Sequence, residues 1–111
     1  MSKKIKGENS MSKLYFTLTG TKYYHGQDFL EKDMQIKLIK EPDNEHDKEA
    51  IKAVLEPLGT IGYVANSPYT VLGDCMSAGR LYDKIGKQAV GTIKIVTGNG
   101  IVCVINAKKK K

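Results

Sequence analysis

The chain has no tryptophan, only two cysteines and three prolines. Its apolar runs are short. Ile101–Ile105 is one such run, and nothing approaches the roughly 18 apolar residues that a membrane span needs. Lysines occur near the N-terminus with no apolar segment behind them, so a signal peptide is not expected, and Met11 could serve as an alternative start. Cys75 and Cys103 sit inside apolar stretches, where they read as small buried hydrophobes in a reducing interior and not as a disulfide framework. These absences point to a cytoplasmic protein without a membrane partner.

What is present is the material of one small domain. The 111 residues can form one core but not two substantial ones, and 41% hydrophobic with 27% charged residues is an ordinary globular composition. The net charge is +6, but it is concentrated at the ends. Lys3, Lys4, Lys6 and Lys13 oppose Glu8 in the first thirteen residues, and Lys108–Lys111 close the chain. Between them, residues 14–107 carry ten basic and eleven acidic side chains, a net of −1. The expected division is a flexible basic leader over 1–13, a folded domain over 14–107 and a lysine tail over 108–111. The terminal lysines either solubilise the protein or assist phosphate binding by counterion release.

Within the folded part, side chains alternate with a period of two. Leu14, Phe16 and Leu18 alternate with more polar neighbours, as do Met34, Ile36 and Leu38, and then Ile51, Ala53 and Leu55. Each set is the mark of a half-buried strand. Ile61–Val64 is a short strand in which Gly62 permits close backbone approach, and two more strands are expected at about Ala89–Val96 and Ile101–Ala107. Thr97-Gly-Asn-Gly100 joins that last pair as a hairpin turn. Residues 21–32 read as an irregular connection. Leu14, Ile36, Ile51, Ala53, Ile61, Ile93 and Val104 are the expected core.

Ser67-Pro68 has the form of a helix start, with Ser as N-cap and Pro at the first helical position. Tyr69, Leu72, Cys75 and Met76 would make its buried stripe, and Gly79 its stop. Asn44 and Asp47 have capping-box spacing and fit at most one short helical turn. Five or six short strands with one main helix and a short helical turn predict a mainly β fold, a small barrel closed by a helix.

Catalytic signatures are sparse. There is no P-loop, and Gly98-x-Gly100 lies between two strands, where a Rossmann fingerprint would need a helix after it. His25, His46, Cys75 and Cys103 match no zinc spacing. The acidic cluster Glu41, Asp43, Glu45 and Asp47 has two readings: a solvated turn capping its own backbone, or a magnesium-holding pair for phosphodiester cleavage. No catalytic residue, cofactor or metal ligand is assigned.

Four pieces in order, Gly20-Thr-Lys-Tyr-Tyr24, Lys40-Glu-Pro-Asp-Asn-Glu-His-Asp47, Glu49-Ala-Ile51 and Ile61-Gly-Tyr63, resemble the HIRAN domain. That family occurs at the front of SWI/SNF-type helicases and as a stand-alone bacterial protein. The likeness covers about residues 14 to 97. It implies a modified OB-like β-barrel that captures the unpaired 3′ end of single-stranded DNA, in DNA repair or processing. By that resemblance Tyr23 is the platform for a terminal base and Tyr24 its packing neighbour. Asn44 bonds near the terminal nucleotide, and Asp47 accepts from the free 3′ hydroxyl. The family pattern is altered at Lys22 (arginine in the DNA-binding member), His46 (tyrosine), Tyr63 (histidine), Asn66 (lysine) and Ile95 (phenylalanine). Positive and aromatic contacts are thereby thinned.

The expectation is a non-catalytic nucleic-acid-binding module, monomeric or weakly dimeric, with a pocket bounded by Tyr23, Asn44, Asp47 and Tyr63. The alternatives are a small divalent-metal-dependent nuclease using Asp43 and Asp47, and a protein-interaction adaptor. The nuclease would gather carboxylates around an ion. The adaptor would expose an apolar patch.

Overall fold

The computed structural model describes residues 11–108. Six strands, β1 (Met11–Thr19), β2 (Gln35–Lys40), β3 (Ile51–Leu55), β4 (Gly59–Val64), β5 (Gln88–Thr97) and β6 (Gly100–Lys108), close into a barrel. Their order around it is β1-β4-β3-β2-β5-β6, and every neighbouring pair is antiparallel. The barrel and its predominantly β character match the expectation. The first strand begins at Met11, so the last three residues of the expected leader belong to the sheet, while the rest of the leader and residues 109–111 of the tail lie outside the described residues.

Alternation builds the core. Phe16, Leu18, Ile36, Leu38, Ile51, Ala53, Ile61, Ile93, Ile101 and Cys103 face inward from all six strands into one cluster. Leu14 packs against that cluster half-buried, and Val104 is buried outside it. Val104 pairs with Tyr15 on one side and Thr92 on the other, so it covers the far side of the sheet. Alternation fails at two bulges, one between Ala53 and Val54 and one between Ile93 and Ile95. An extra residue at a bulge reverses the facing of the strand beyond it, and in this way Ile95 becomes 55% exposed.

The seams differ in length. β1 pairs with β6 along its whole length, from Met11–Lys108 to Leu18–Ile101. Against β4 it is registered at Leu18–Val64 and Thr19–Tyr63, and the pairing is prolonged by the Ala65 N–H donating to the Thr17 carbonyl at 2.7 Å.

The helix is not where Ser67-Pro68 predicts it. Ser67 does cap a turn, accepting from Tyr69 N–H at 3.1 Å, and Val71 N–H reaches the Ser67 carbonyl at 3.0 Å. The turn then stops because β1 takes over its donors. Leu72 N–H goes to the Thr17 hydroxyl at 3.0 Å and Met76 N–H to the Tyr15 carbonyl at 2.7 Å. Tyr69, expected in a buried stripe, is 95% exposed, and Cys75 is only half-buried. The helix α1 is Ala78–Tyr82, capped by Ser77 accepting from Arg80 N–H at 3.3 Å, with Gly79 inside it rather than ending it. It buries Ala78 and Leu81 on the barrel. The short helical turn is likewise elsewhere: a 3-10 turn spans Thr21–Tyr23, whereas Pro42–Glu49 forms bends and turns without a helix.

Candidate nucleic-acid interface

The 3-10 turn after β1 positions the first aromatics. Gly20 adopts φ 77, a left-handed conformation that sends the chain out of the strand and into the turn. Tyr23 is thereby carried out into solvent, 75% exposed, with the Lys22 ammonium 5.2 Å from its ring centroid. Tyr24 turns the other way and meets Tyr63 of β4, ring centroids 6.2 Å apart at an interplanar angle of 42°. Gly62 permits this arrangement. An added Cβ there would stand 2.7 Å from the Thr19 carbonyl, so the close approach expected of Gly62 is to strand β1.

The Asn44 corner is a closed hydrogen-bond system. Asn44 Oδ1 accepts from the backbone N–H groups of His46 (2.8 Å) and Asp47 (3.0 Å), and Asn44 Nδ2 donates to Glu41 Oε1 at 3.1 Å. Asp47 does not return to Asn44 as a capping box would. Its Oδ1 accepts from Glu49 N–H at 2.9 Å and its Oδ2 from Asn66 Nδ2 at 2.8 Å. Asn66 Oδ1 in turn accepts from Gly79 N–H at 2.8 Å, tying the corner to α1. His46 is exposed, and so is His25, whose Nε2 lies 3.2 Å from the Leu58 carbonyl.

Glu41 is the hub of the corner, although in the sequence it stands out only as one of a cluster of acids. Tyr63 donates to its Oε1 at 2.8 Å, and Lys52 approaches its Oε2 at 3.6 Å. Partial burial pushes the Glu41 carboxyl up, but the hydrogen bonds from Tyr63 and Asn44 and the Lys52 ammonium outweigh it and hold it below the ordinary carboxylate value. Burial and donation to Glu41 push the Tyr63 phenol well above its usual range. The signal that could have found this hub is weak: a carboxylate before a proline, and a tyrosine on a strand two elements later.

Of the eight expected site residues, four line two separate depressions, and Tyr24, His46, Asp47 and Asn66 line neither. Lys22 and Tyr23 line one of about 450 Å³, together with Gln27, Thr70 and the Gly98–Gly100 tip of the β5–β6 hairpin. Asn44 and Tyr63 line another of about 460 Å³ with Lys40, Glu41, Pro42 and Asp43. Tyr24 packs against Tyr63 of the second depression, and Asp47 is tied to Asn66 and, through its N–H, to Asn44. Among the described residues Lys22 is the single charged one lining the first, whereas the second presents Glu41 and Asp43 beside Lys40. Gln27, Thr70 and Asn99 were not anticipated, because no spacing links residues this far apart in the chain. Among the described residues no three His, Cys, Asp or Glu side chains converge as a metal site, and no helix is long and apolar enough to cross a membrane.

The family model of the HIRAN domain matches residues 11–99, which span β1 to β5 and stop short of β6. No curated protein and no solved structure matches the chain.

Proposed function

The chain belongs to the HIRAN domain family, whose members are in general non-catalytic nucleic-acid-binding modules, and we propose that it captures the 3′-hydroxyl end of single-stranded DNA. The observation that carries this reading is Tyr23, a ring 75% exposed on the rim of a depression, with a lysine ammonium beside it and, among the described residues, no carboxylate in the lining. A base stacked on such a ring gains roughly 1–3 kcal/mol whatever its identity, and Lys22 neutralises the adjoining phosphate. Asp47 supplies end selectivity. Each of its oxygens accepts one hydrogen bond within the fold, which leaves lone-pair capacity for a 3′ hydroxyl. A 3′ phosphate meets the same carboxylate with repulsion. Asn44 holds the turn that presents Asp47, and Tyr24 packs against Tyr63 beside it.

The setting proposed is DNA repair or processing in the cytoplasm, with the protein acting as a monomer or weak dimer. Fluorescence anisotropy at fixed salt tests the reading, with one strand ending in a free 3′ hydroxyl and the same strand ending in a 3′ phosphate. Tighter binding to the hydroxyl form, weakened by Tyr23→Ala and made indifferent to the end by Asp47→Ala, is the expected result. Equal and salt-labile binding to both strands would reduce the interaction to unspecific attraction by lysines.

A further inference from the structure

We propose that the projecting end of the β1–β6 ladder is a second nucleic-acid contact, a basic two-stranded ribbon that holds the phosphate backbone of duplex DNA at the opposite end of β1 from the Tyr23 corner. This contact lies outside the end-binding reading and shares with it only the family's class of ligand.

The ribbon follows from unequal strand pairing. β6 is laddered to β5 from Gly100 to Val104. On its other side β1 meets β4 at Leu18 and Thr19, and its Thr17 and Tyr15 carbonyls accept from Ala65 and Met76. The β1–β6 ladder runs on past both, through Lys13–Asn106 and Ser12–Ala107 to Met11–Lys108. Among the described residues, 11–13 and 106–108 therefore pair with each other and with no third strand. Leu14 and Ile105 still pack on the core, so the ribbon leaves the barrel one rung beyond them.

Charge collects at this end. Because Met11 and Lys108 are partners, the segments 1–10 and 109–111 are joined to the barrel at one place. Lys3, Lys4, Lys6, Lys13 and Lys108–Lys111 are thus all tethered to one rung, with Glu8 as the single acid among them. Their net of +7 contrasts with −1 for residues 14–107. On the ribbon, Lys13 and Asn106 stand opposite each other and are exposed. Tyr15, two residues along β1 on the same face, is 42% exposed. Ammonium, carboxamide and hydroxyl each offer a hydrogen-bond donor to phosphate oxygens.

Shape selects the form of nucleic acid. A two-stranded ribbon fits the roughly 12 Å major groove of B-form DNA, whereas the A-form groove of duplex RNA is too deep and narrow for side chains to read. At about 3.3 Å per residue, β1 separates the ribbon from the Thr19 end by roughly 25 Å, so the contact is distinct from the Tyr23 corner. A membrane surface is the poorer fit, because a segment lying in the interface needs an apolar face, and residues 1–13 hold just Met1, Ile5 and Met11 as large apolar side chains.

The test uses the full chain and a fluorescent DNA dumbbell, a duplex closed by a loop at each end and so without a 3′ terminus. Anisotropy is expected to show binding at about 50 mM salt that weakens by roughly a hundredfold at about 200 mM, as when four phosphates are neutralised. Lys13→Glu combined with Asn106→Glu, both at exposed positions, should weaken the dumbbell by roughly tenfold or more. Its melting temperature and its preference for a 3′ hydroxyl on single strands should match the wild type. Lys109→Gln, Lys110→Gln and Lys111→Gln together should flatten the salt dependence, and Tyr23→Ala should leave dumbbell binding unchanged. No binding of the dumbbell at about 50 mM salt overturns the ribbon contact, as does binding untouched by the Lys13 and Asn106 changes or equal affinity for an RNA dumbbell. Tighter binding to phosphatidylserine–phosphatidylcholine vesicles than to the dumbbell overturns it in favour of a membrane. Equal binding of hydroxyl and phosphate single-strand ends, with dumbbell binding intact, overturns the end-binding reading and supports the ribbon.

Discussion

The Tyr63 hydroxyl donates a 2.8 Å hydrogen bond to the same Glu41 oxygen that accepts from Asn44, so one carboxylate couples strand β4 to the turn that carries Asp47. Removing that donor with Tyr63→Phe leaves Glu41 only Asn44 and Lys52. A hydrogen bond to a charged group is worth about 1.5–3 kcal/mol, and this one is part-exposed, so a loss at the lower end of that range is expected. Urea unfolding of the two proteins at neutral pH measures it.

The same pair and Cys103 set the behaviour in alkali. Burial and the neighbouring Cys75 push the Cys103 thiol up to about 12, from an ordinary value of 9.0, and Tyr63 is raised from 10.0. A group whose folded value exceeds its unfolded one stabilises fully below the unfolded value and ceases to as pH climbs through the folded one. Melting temperature should therefore fall from about pH 9 upward. Cys103→Ala should flatten the first part of that decline, and Tyr63→Phe the part beyond pH 10, in a series of thermal melts.

Tyr23→Ala should separate binding from stability. The ring contributes little to the barrel, so the melting temperature is expected to stay within a degree or two while single-stranded DNA affinity falls by roughly 1–3 kcal/mol. A variant that loses stability in proportion to affinity would instead make Tyr23 a packing residue.

Asn66→Ala should act in the opposite sense. It frees Asp47 Oδ2 and removes the acceptor for Gly79 N–H, at a cost of about 1–2 kcal/mol in chemical denaturation. End preference should decline along with the order of the Asp47 carboxylate, read by the ratio of hydroxyl to phosphate binding.

Gly62→Ala tests the close packing of β4 on β1. Its Cβ would stand 2.7 Å from the backbone carbonyl of Thr19, which cannot swing aside as a side chain can. A loss of roughly 1–3 kcal/mol is expected, with a smaller change in the unfolding midpoint disproving the close contact.

The strands were legible because alternation is a local signal. Phe16 and Leu18, or Ile36 and Leu38, declare their face without reference to the rest of the chain. The bulges at Ala53/Val54 and Ile93/Ile95 were not legible, since a bulge belongs to a pair of strands. The helix at Ser67-Pro68 failed for a related reason: its periodic side chains are real, but Thr17 and Tyr15 of β1 capture the backbone donors that a helix would use. At the site, the order of the HIRAN-like pieces gave no sign that Lys22 and Tyr23 would line one depression and Asn44 and Tyr63 another, since which loops adjoin is decided by the barrel's closure.

The unequal seams of the barrel have a dynamic consequence. β1 is zipped to β6 over eight successive positions but latched to β4 at Leu18–Val64 and Thr19–Tyr63 with one further bond from Ala65 to Thr17. A cylinder opens where it is least stitched, so amide protons of that latch should exchange with solvent before those on the β1–β6 side. The latch ends beside the Tyr23 corner, and an occupant resting there would act as a clasp. Slowed exchange at Val64 and Ala65 on adding DNA would report the closing of the barrel from the inside of the sheet, independent of any signal from the ligand.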